Sequence, residues 1–190
     1  MSVEIEKRFE ILKGLPPYGP LYVPVSTDNE PFYHEGLVVK FIKRDGSEWI
    51  ANFDVGGTNL KKILELDNSN NLLVIACGIC YLFSIEKTKP ISILGYSFSE
   101  YLKTENNQFI FNDCTDLLIV ESNGEFHRTD RISFGGIKDL HYQNGFARGK
   151  AWEPNSKKGK WIDFEYDVKN RILKGGCFNK SRKWWEFWRI

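Results

Sequence analysis

From residue 36 onward, apolar positions come in short runs broken by turn residues, which is the rhythm of strands rather than helices. LVVKFIK (37–43) and EWIANF (48–53) flank Arg44-Asp45-Gly46-Ser47, and an Asp-Gly step between two β-rich runs predicts a hairpin. ILEL (63–66) and LLVIA (72–76), on either side of the polar tract 67–71, predict a second hairpin; YLFSI (81–85) follows and is stopped by Pro90. FIF (109–111) and LLIVE (117–121) lead to a turn at Ser122-Asn123-Gly124, from which EFHRTD returns as a paired strand. GFARGKAWE (145–153), KWIDFEYD (160–167) and RIL (171–173) continue the series, while YSFSEYLK (96–103) fits a short helix and a strand equally.

Before residue 36 the pattern differs. Ile5, Phe9 and Leu12 fall on one face of a 3.6-residue period that Gly14, Pro16 and Pro17 terminate, so a short N-terminal helix is expected within 1–14. Pro20, Pro24 and Pro31 punctuate 15–35, with Tyr18, Tyr22, Phe32 and Tyr33 between them, which predicts an extended aromatic segment. The remainder divides into a β meander over 36–178 and an aromatic-basic tail over 179–190. At 190 residues one hydrophobic core suffices, so 1–190 is expected to be a single β-rich domain.

A weak internal repeat runs through the meander. Aligning Phe41, Phe83, Ile119 and Phe164 gives separations of 42, 36 and 45 residues, each residue lying in an apolar run that enters a polar turn. Spacings of about 40 residues belong to the four-stranded blades of propellers. The expected fold is therefore mostly β, an antiparallel meander of short strands forming a propeller-like array or part of one. A β-sandwich or barrel is the alternative.

Composition narrows the function. Aromatic residues make up 15% of the chain, ample for a packed interior and too many for disorder. The 26 Lys and Arg nearly cancel the 25 Asp and Glu, so no global field draws polyanions and nucleic acid is a disfavoured partner. No run approaches the roughly 18 apolar residues of a membrane span, and the first residues show no basic start followed by an apolar stretch. A soluble, cytoplasmic protein is expected, and the 4 cysteines are expected to stay reduced.

Candidate chemistry is sparse. Cys77-Gly78-Ile79-Cys80 has the spacing of a redox dithiol, but a strand-like run follows it where an activating helix is needed. Cys114 and Cys177 are single and far apart, so a four-thiolate zinc site is not indicated. His34, His127 and His141 form no metal-ligand pattern. Asp113-Cys114-Thr115-Asp116 and His127-Arg128-Thr129-Asp130 together contain a nucleophile, a base and an acid, residue types that recur by chance in any chain of this size. The glycine pairs 56–57, 135–136 and 175–176 lack phosphate-loop spacing and suit turns or bulges. Asp67 to Asn71 begins like a calcium loop, but Leu72 and Gly78 stand where Gly and Glu are required. No catalytic residue, metal or cofactor is assigned, and a small enzyme with a Cys or His centre remains the alternative.

The tail Lys180-Ser181-Arg182-Lys183-Trp184-Trp185-Glu186-Phe187-Trp188-Arg189-Ile190 is the most unusual segment. Trp and Arg dominate binding hot spots, so Trp184, Trp185, Trp188 and Arg189 are the candidate partner contacts; the competing reading is that the tail closes the domain's own core. A single-stranded nucleic acid, bound by exposed aromatics on a sheet, is a further alternative partner.

The opening FEILKGLPPYG, the hairpin LVVKFIKRDGSEWIANF, the meander NLLVIACGICYLF and the ending KWWEFWRI resemble small bacterial immunity-type (toxin-neutralising) proteins and uncharacterised bacterial propeller-like domains. The resemblance covers most of the chain. It implies a non-enzymatic inhibitor that blocks a cognate bacterial toxin by surface complementarity. Inhibitors of nucleases are often acidic, and the near-neutral charge here does not indicate a nuclease target.

Overall fold

Phe9–Ile11, inside the expected helix, is a strand. The computed structural model describes residues 8–18, 21–28, 30–154 and 158–178, and in them β1 (Phe9–Ile11), β2 (Val23–Val25), β3 (Leu37–Ile42) and β4 (Glu48–Phe53) form one sheet in the order β1-β3-β4-β2. β1 runs antiparallel to β3 with Phe9 opposite Phe41, and the Leu12 and Arg8 backbones extend the ladder to Val38 and Ile42 at 2.9 and 3.0 Å. Phe9 packs on the core while Ile11 is exposed. A short helix is marginal in water, whereas the open edge of β3 supplies ladder bonds, and tertiary pairing overrides the helical period. Residues 1–7 lie outside the described residues.

The Pro-punctuated segment also contributes a strand: β2 pairs parallel to β4, with Pro24 at the sheet edge, where its missing N–H costs nothing. The predicted β3–β4 hairpin forms, its turn held by the Ser47 N–H and hydroxyl donating to Asp45 Oδ1 at 2.9 and 2.6 Å. Next come β5 (Lys62–Glu65), β6 (Asn71–Ala76), β7 (Ile79–Ser84) and β8 (Ser92–Gly95), an antiparallel meander.

β9 (Tyr101–Lys103), β10 (Phe109–Asn112), β11 (Leu117–Val120) and β12 (Phe126–Arg128) make a third sheet. β13 (Ile137–Gln143), β14 (Phe146–Glu153), β15 (Lys160–Asp167) and β16 (Ile172–Gly175) make a fourth; both are antiparallel meanders. The described residues thus hold sixteen strands in four four-stranded sheets, with no helix, and no helix long and apolar enough to cross a membrane.

These residues divide into two compact units, one reaching Ser99 and taking in Ser122–Gly124, the other comprising Glu100–Glu121 and the chain from Glu125. The first unit is centred on aromatics: Phe41 stacks on Phe83 (5.5 Å between centroids) and Phe53 meets Phe83 edge-on (5.2 Å). The polar tips that enter this core are satisfied, Trp49 Nε1–H by the Ile85 carbonyl and the Tyr81 hydroxyl by the Asp54 carbonyl, both at 3.0 Å. Burying each such ring stabilises by about 1.5–3 kcal/mol.

The second unit's core is smaller-grained, built of Ile110, Leu117, Ile119, Ile132, Ala147, Ala151, Phe164 and Tyr166 among others. Asn112 is buried within it and its amide donates to Glu100 Oε1 (2.7 Å) and the Ile137 carbonyl (3.2 Å), tying β10 to the start of β13. Phe41, Phe83, Ile119 and Phe164 sit on β3, β7, β11 and β15, an inner strand of each sheet, and all are buried.

Candidate functional site

Three turns of the second unit surround a polar cleft of about 450 Å³, lined by Glu105, Asn106, Gln108, Glu121, Tyr142, Asn144, Gly145, Val168, Lys169 and Arg171. The β9–β10 turn is closed by Thr104, whose backbone N–H bonds the Gln108 carbonyl (2.9 Å) and whose hydroxyl accepts the Gln108 N–H (3.1 Å). Asn144 and Gly145 form the β13–β14 turn with φ of 51° and 87°, the left-handed values a two-residue hairpin demands. In the β15–β16 turn Asp167 accepts from the Asn170 N–H (2.9 Å) and side-chain amide (2.8 Å), and Val168 N–H bonds the Gly145 carbonyl (3.1 Å), fastening one turn to the next.

Glu121, just past β11, is held by the Gln108 amide at 2.6 Å. Its other oxygen is 3.9 Å from His127 Nδ1, too far for a hydrogen bond. The opposite ring nitrogen of His127 meets the Tyr166 hydroxyl at 3.1 Å, and Nδ1 is buried without a partner. Burial, then the Arg171 charge, lowers the His127 pKa against the pull of Glu121. Burial raises the Tyr166 pKa. At neutral pH this is an uncharged imidazole beside a protonated phenol, a hydrogen-bonded pair behind Glu121 rather than an activated nucleophile.

Around the cleft mouth, Lys169 and Arg171 have no carboxylate within ion-pair distance among the described residues. Arg148, Lys150 and Arg128 of the same unit are paired, with Glu165 (2.8 Å), with Asp139 (3.5 Å) and with Asp113 and Asp116 (2.7 and 2.5 Å) respectively.

The nucleophile, base and acid picked out in the sequence do not converge. Successive strand residues point to opposite faces, so on β12 His127 turns to Tyr166 while Arg128 clamps the 113–116 turn. Hydrogen bonds and charge from the two carboxylates raise the Arg128 pKa against burial, which lowers it. Asp116 is nevertheless raised, because burial and repulsion from Asp113 outweigh the shared cation. Cys114 is exposed at a left-handed turn position (φ 55°).

Cys77 and Gly78 are the two residues of the β6–β7 turn, φ 48° and 98°, between paired Ala76 and Ile79. Cys80 follows inside β7, fully buried, its thiol pKa pushed up by desolvation alone. A strand, not a helix, follows the first thiol. His34 lies 3.2 Å from Asp54 Oδ1 on the exterior of the first unit, and His141 Nδ1 faces the Asp139 carbonyl at 2.9 Å. Among the described residues no hydrogen bond joins a histidine ring nitrogen to a thiol. Trp184, Trp185, Trp188 and Arg189 lie outside the described residues.

A second surface had no place in the sequence reading. On β15 Phe164 and Tyr166 face the core, so Trp161, Asp163 and Glu165 face outward. Trp161 lies opposite Trp152 of β14 with ring centroids 5.2 Å apart, is 39% exposed, and carries the Lys138 ammonium 4.3 Å above its ring. The alternation of KWIDFEYD contained this placement.

The described residues define a mostly β protein, with four four-stranded sheets among them. No family model matches the chain, and no curated protein does. Among solved structures, the crystal structure of the tricorn protease is similar with a TM-score of 0.38 and 15% identity, over 94% of this chain and 18% of that one. The chain therefore spans less than a fifth of that protein's length.

Proposed function

We propose that this chain is a non-enzymatic protein-binding domain of immunity type, a bacterial cytoplasmic inhibitor whose four sheets act as the blades of a propeller-like scaffold and which blocks a cognate toxin by surface complementarity. The observation that carries this reading is the Trp152–Trp161 pair with Lys138 on the outward face of the fourth sheet. Exposed Trp beside cations has the composition of a binding hot spot. Support also comes from the chemistry that is already committed elsewhere: Cys80 is sealed in the core, Arg128 is bound by two aspartates, and His127 is held neutral against Tyr166. Trp184, Trp185, Trp188 and Arg189 extend the proposed contact set from the sequence.

The test is co-expression with the product of the adjacent reading frame. The wild-type chain should restore growth and co-purify with that product; Trp161→Ala and the triple change of Trp184, Trp185 and Trp188 to Ala should weaken both while leaving the melting temperature within a few degrees. Loss of stability in the triple variant would assign the tail to the core. Failure of the wild-type chain to bind or protect overturns the reading. Filter binding at low salt tests the single-stranded nucleic-acid alternative, for which Trp161 beside Lys138 is the favouring observation.

A further inference from the structure

We infer that the polar cleft of the second unit is a binding site for a small zwitterion, a molecule of amino-acid to dipeptide size with a carboxylate at one end and an ammonium at the other. The site is independent of the Trp152–Trp161 surface. Its charges are sorted by element: Lys169 and Arg171 come from the β15–β16 turn, Glu105 from the β9–β10 turn and Glu121 from the end of β11. Two cations and two carboxylates cancel, so the lining favours a ligand without net charge but with a matching dipole.

The groups offered are unspent. Arg171 and Lys169 make no ion pair among the described residues, whereas Arg148 and Arg128 of the same unit each hold a carboxylate. Glu105 is felt only as a charge that raises the Tyr142 phenol after burial has done so. The side-chain amides of Asn106 and Asn144 hold no internal hydrogen bond among the described residues. Glu121, by contrast, is pre-positioned: Gln108 fixes one oxygen at 2.6 Å and leaves the other beside the unpartnered His127 Nδ1 at 3.9 Å. An ammonium settling on that carboxylate meets an acceptor whose orientation is already set.

Competing ligand classes fit less well. A neutral sugar would use the amides and carboxylates but leave two cations unmatched, and a free oxyanion drawn to Arg171 would face Glu121 and Glu105. Among the described residues no His, Cys, Asp and Glu cluster suits a metal ion. The volume, about 450 Å³, falls within the range of small-molecule sites.

The probes are the twenty free amino acids and diglycine, titrated into the full chain and followed by backbone amide NMR shifts. At least one should saturate at millimolar concentration, with shifts at the three turns 104–108, 142–145 and 168–171. For that probe, N-acetylation and C-terminal amidation should each weaken binding by about tenfold. Glu105→Gln and Arg171→Gln should weaken it similarly while the melting temperature stays unchanged. Absence of saturable shifts at these turns with every probe overturns the inference. So does capped probe binding as tightly as free probe, or glucose binding better than either.

Discussion

His127 and Tyr166 meet at 3.1 Å between β12 and β15, and this contact leaves the other ring nitrogen of His127 buried and unpaired. The relationship fixes the sign of a pH effect. The His127 pKa is lowered in the folded chain, so below about 6.5 the unfolded chain binds the proton more readily. The neutral ring's contribution is complete above the unfolded value and is lost as pH falls through the folded one. Urea midpoints of the wild type should therefore begin to drop as pH falls below about 6.5, before the carboxylates titrate. In His127→Gln that drop should shrink; an identical slope in both proteins would refute the assignment.

Arg128 is shared by Asp113 and Asp116. Arg128→Met should cost about 1–2 kcal/mol at neutral pH, toward the lower end for charged hydrogen bonds because the guanidinium is partly solvated. The loss should narrow in acid, since Asp116 with its raised pKa is protonated before ordinary carboxylates and the repulsion it feels from Asp113 then vanishes. Chemical denaturation of both proteins at neutral and mildly acidic pH measures the gap.

Thiol reactivity should follow burial. Cys114 is exposed and should alkylate first, Cys77 and Cys177 more slowly, and Cys80 only on unfolding. Burial, followed by the nearby Glu153 charge, raises the Cys177 pKa, and its Sγ donates to the Trp152 carbonyl at 3.3 Å. Mass-mapped alkylation under native conditions gives the order; early labelling of Cys80 would mean that β7 opens easily.

The inner hairpins were legible because their turns carry their own chemistry. Asp45-Gly46 between the apolar runs 37–43 and 48–53 marks the β3–β4 hairpin within one stretch of sequence. β13 was not legible. A register shift between Lys138 and His141, with Asp139 at φ 54°, breaks its alternation, so Ile137 and Leu140 read as three apart. β1 was misread because a three-residue strand leaves too short a pattern to compete with an apparent helical period. The cleft was hidden for a different reason: its residues are ordinary turn residues far apart in sequence, and only the fold makes Glu105, Asn144 and Arg171 neighbours. His127 and Arg128 were linked because they are adjacent, and the pleat of β12 separates them.

The β6–β7 turn offers a stabilising change. Both Cys77 and Gly78 take positive φ, at 48° and 98°, and Asn tolerates that conformation better than Cys. Cys77→Asn, giving an Asn-Gly turn, should raise stability by about 0.5 kcal/mol by the conformational argument that governs turn substitutions. A lowered denaturation midpoint would show that the Cys77 side chain contributes packing that outweighs turn preference.

Trp49 and Trp161 separate core from surface within one residue type. Trp49 is buried between Phe41 (5.2 Å) and Phe83 (5.9 Å) with its indole N–H on the Ile85 carbonyl. Replacing it by Ala removes a large buried ring and leaves that carbonyl without this donor, so about 3–5 kcal/mol should be lost. Trp161 contacts Trp152 and Lys138 at the sheet surface, where a cross-strand pair and a cation–π contact are each worth about 0.5–1 kcal/mol. Trp161→Ala should therefore cost about 1 kcal/mol. Equilibrium unfolding of the two variants in guanidinium decides the matter. If Trp161→Ala destabilises as much as Trp49→Ala, the outward aromatic pair belongs to the stabilising core and its proposed role in recognition is lost.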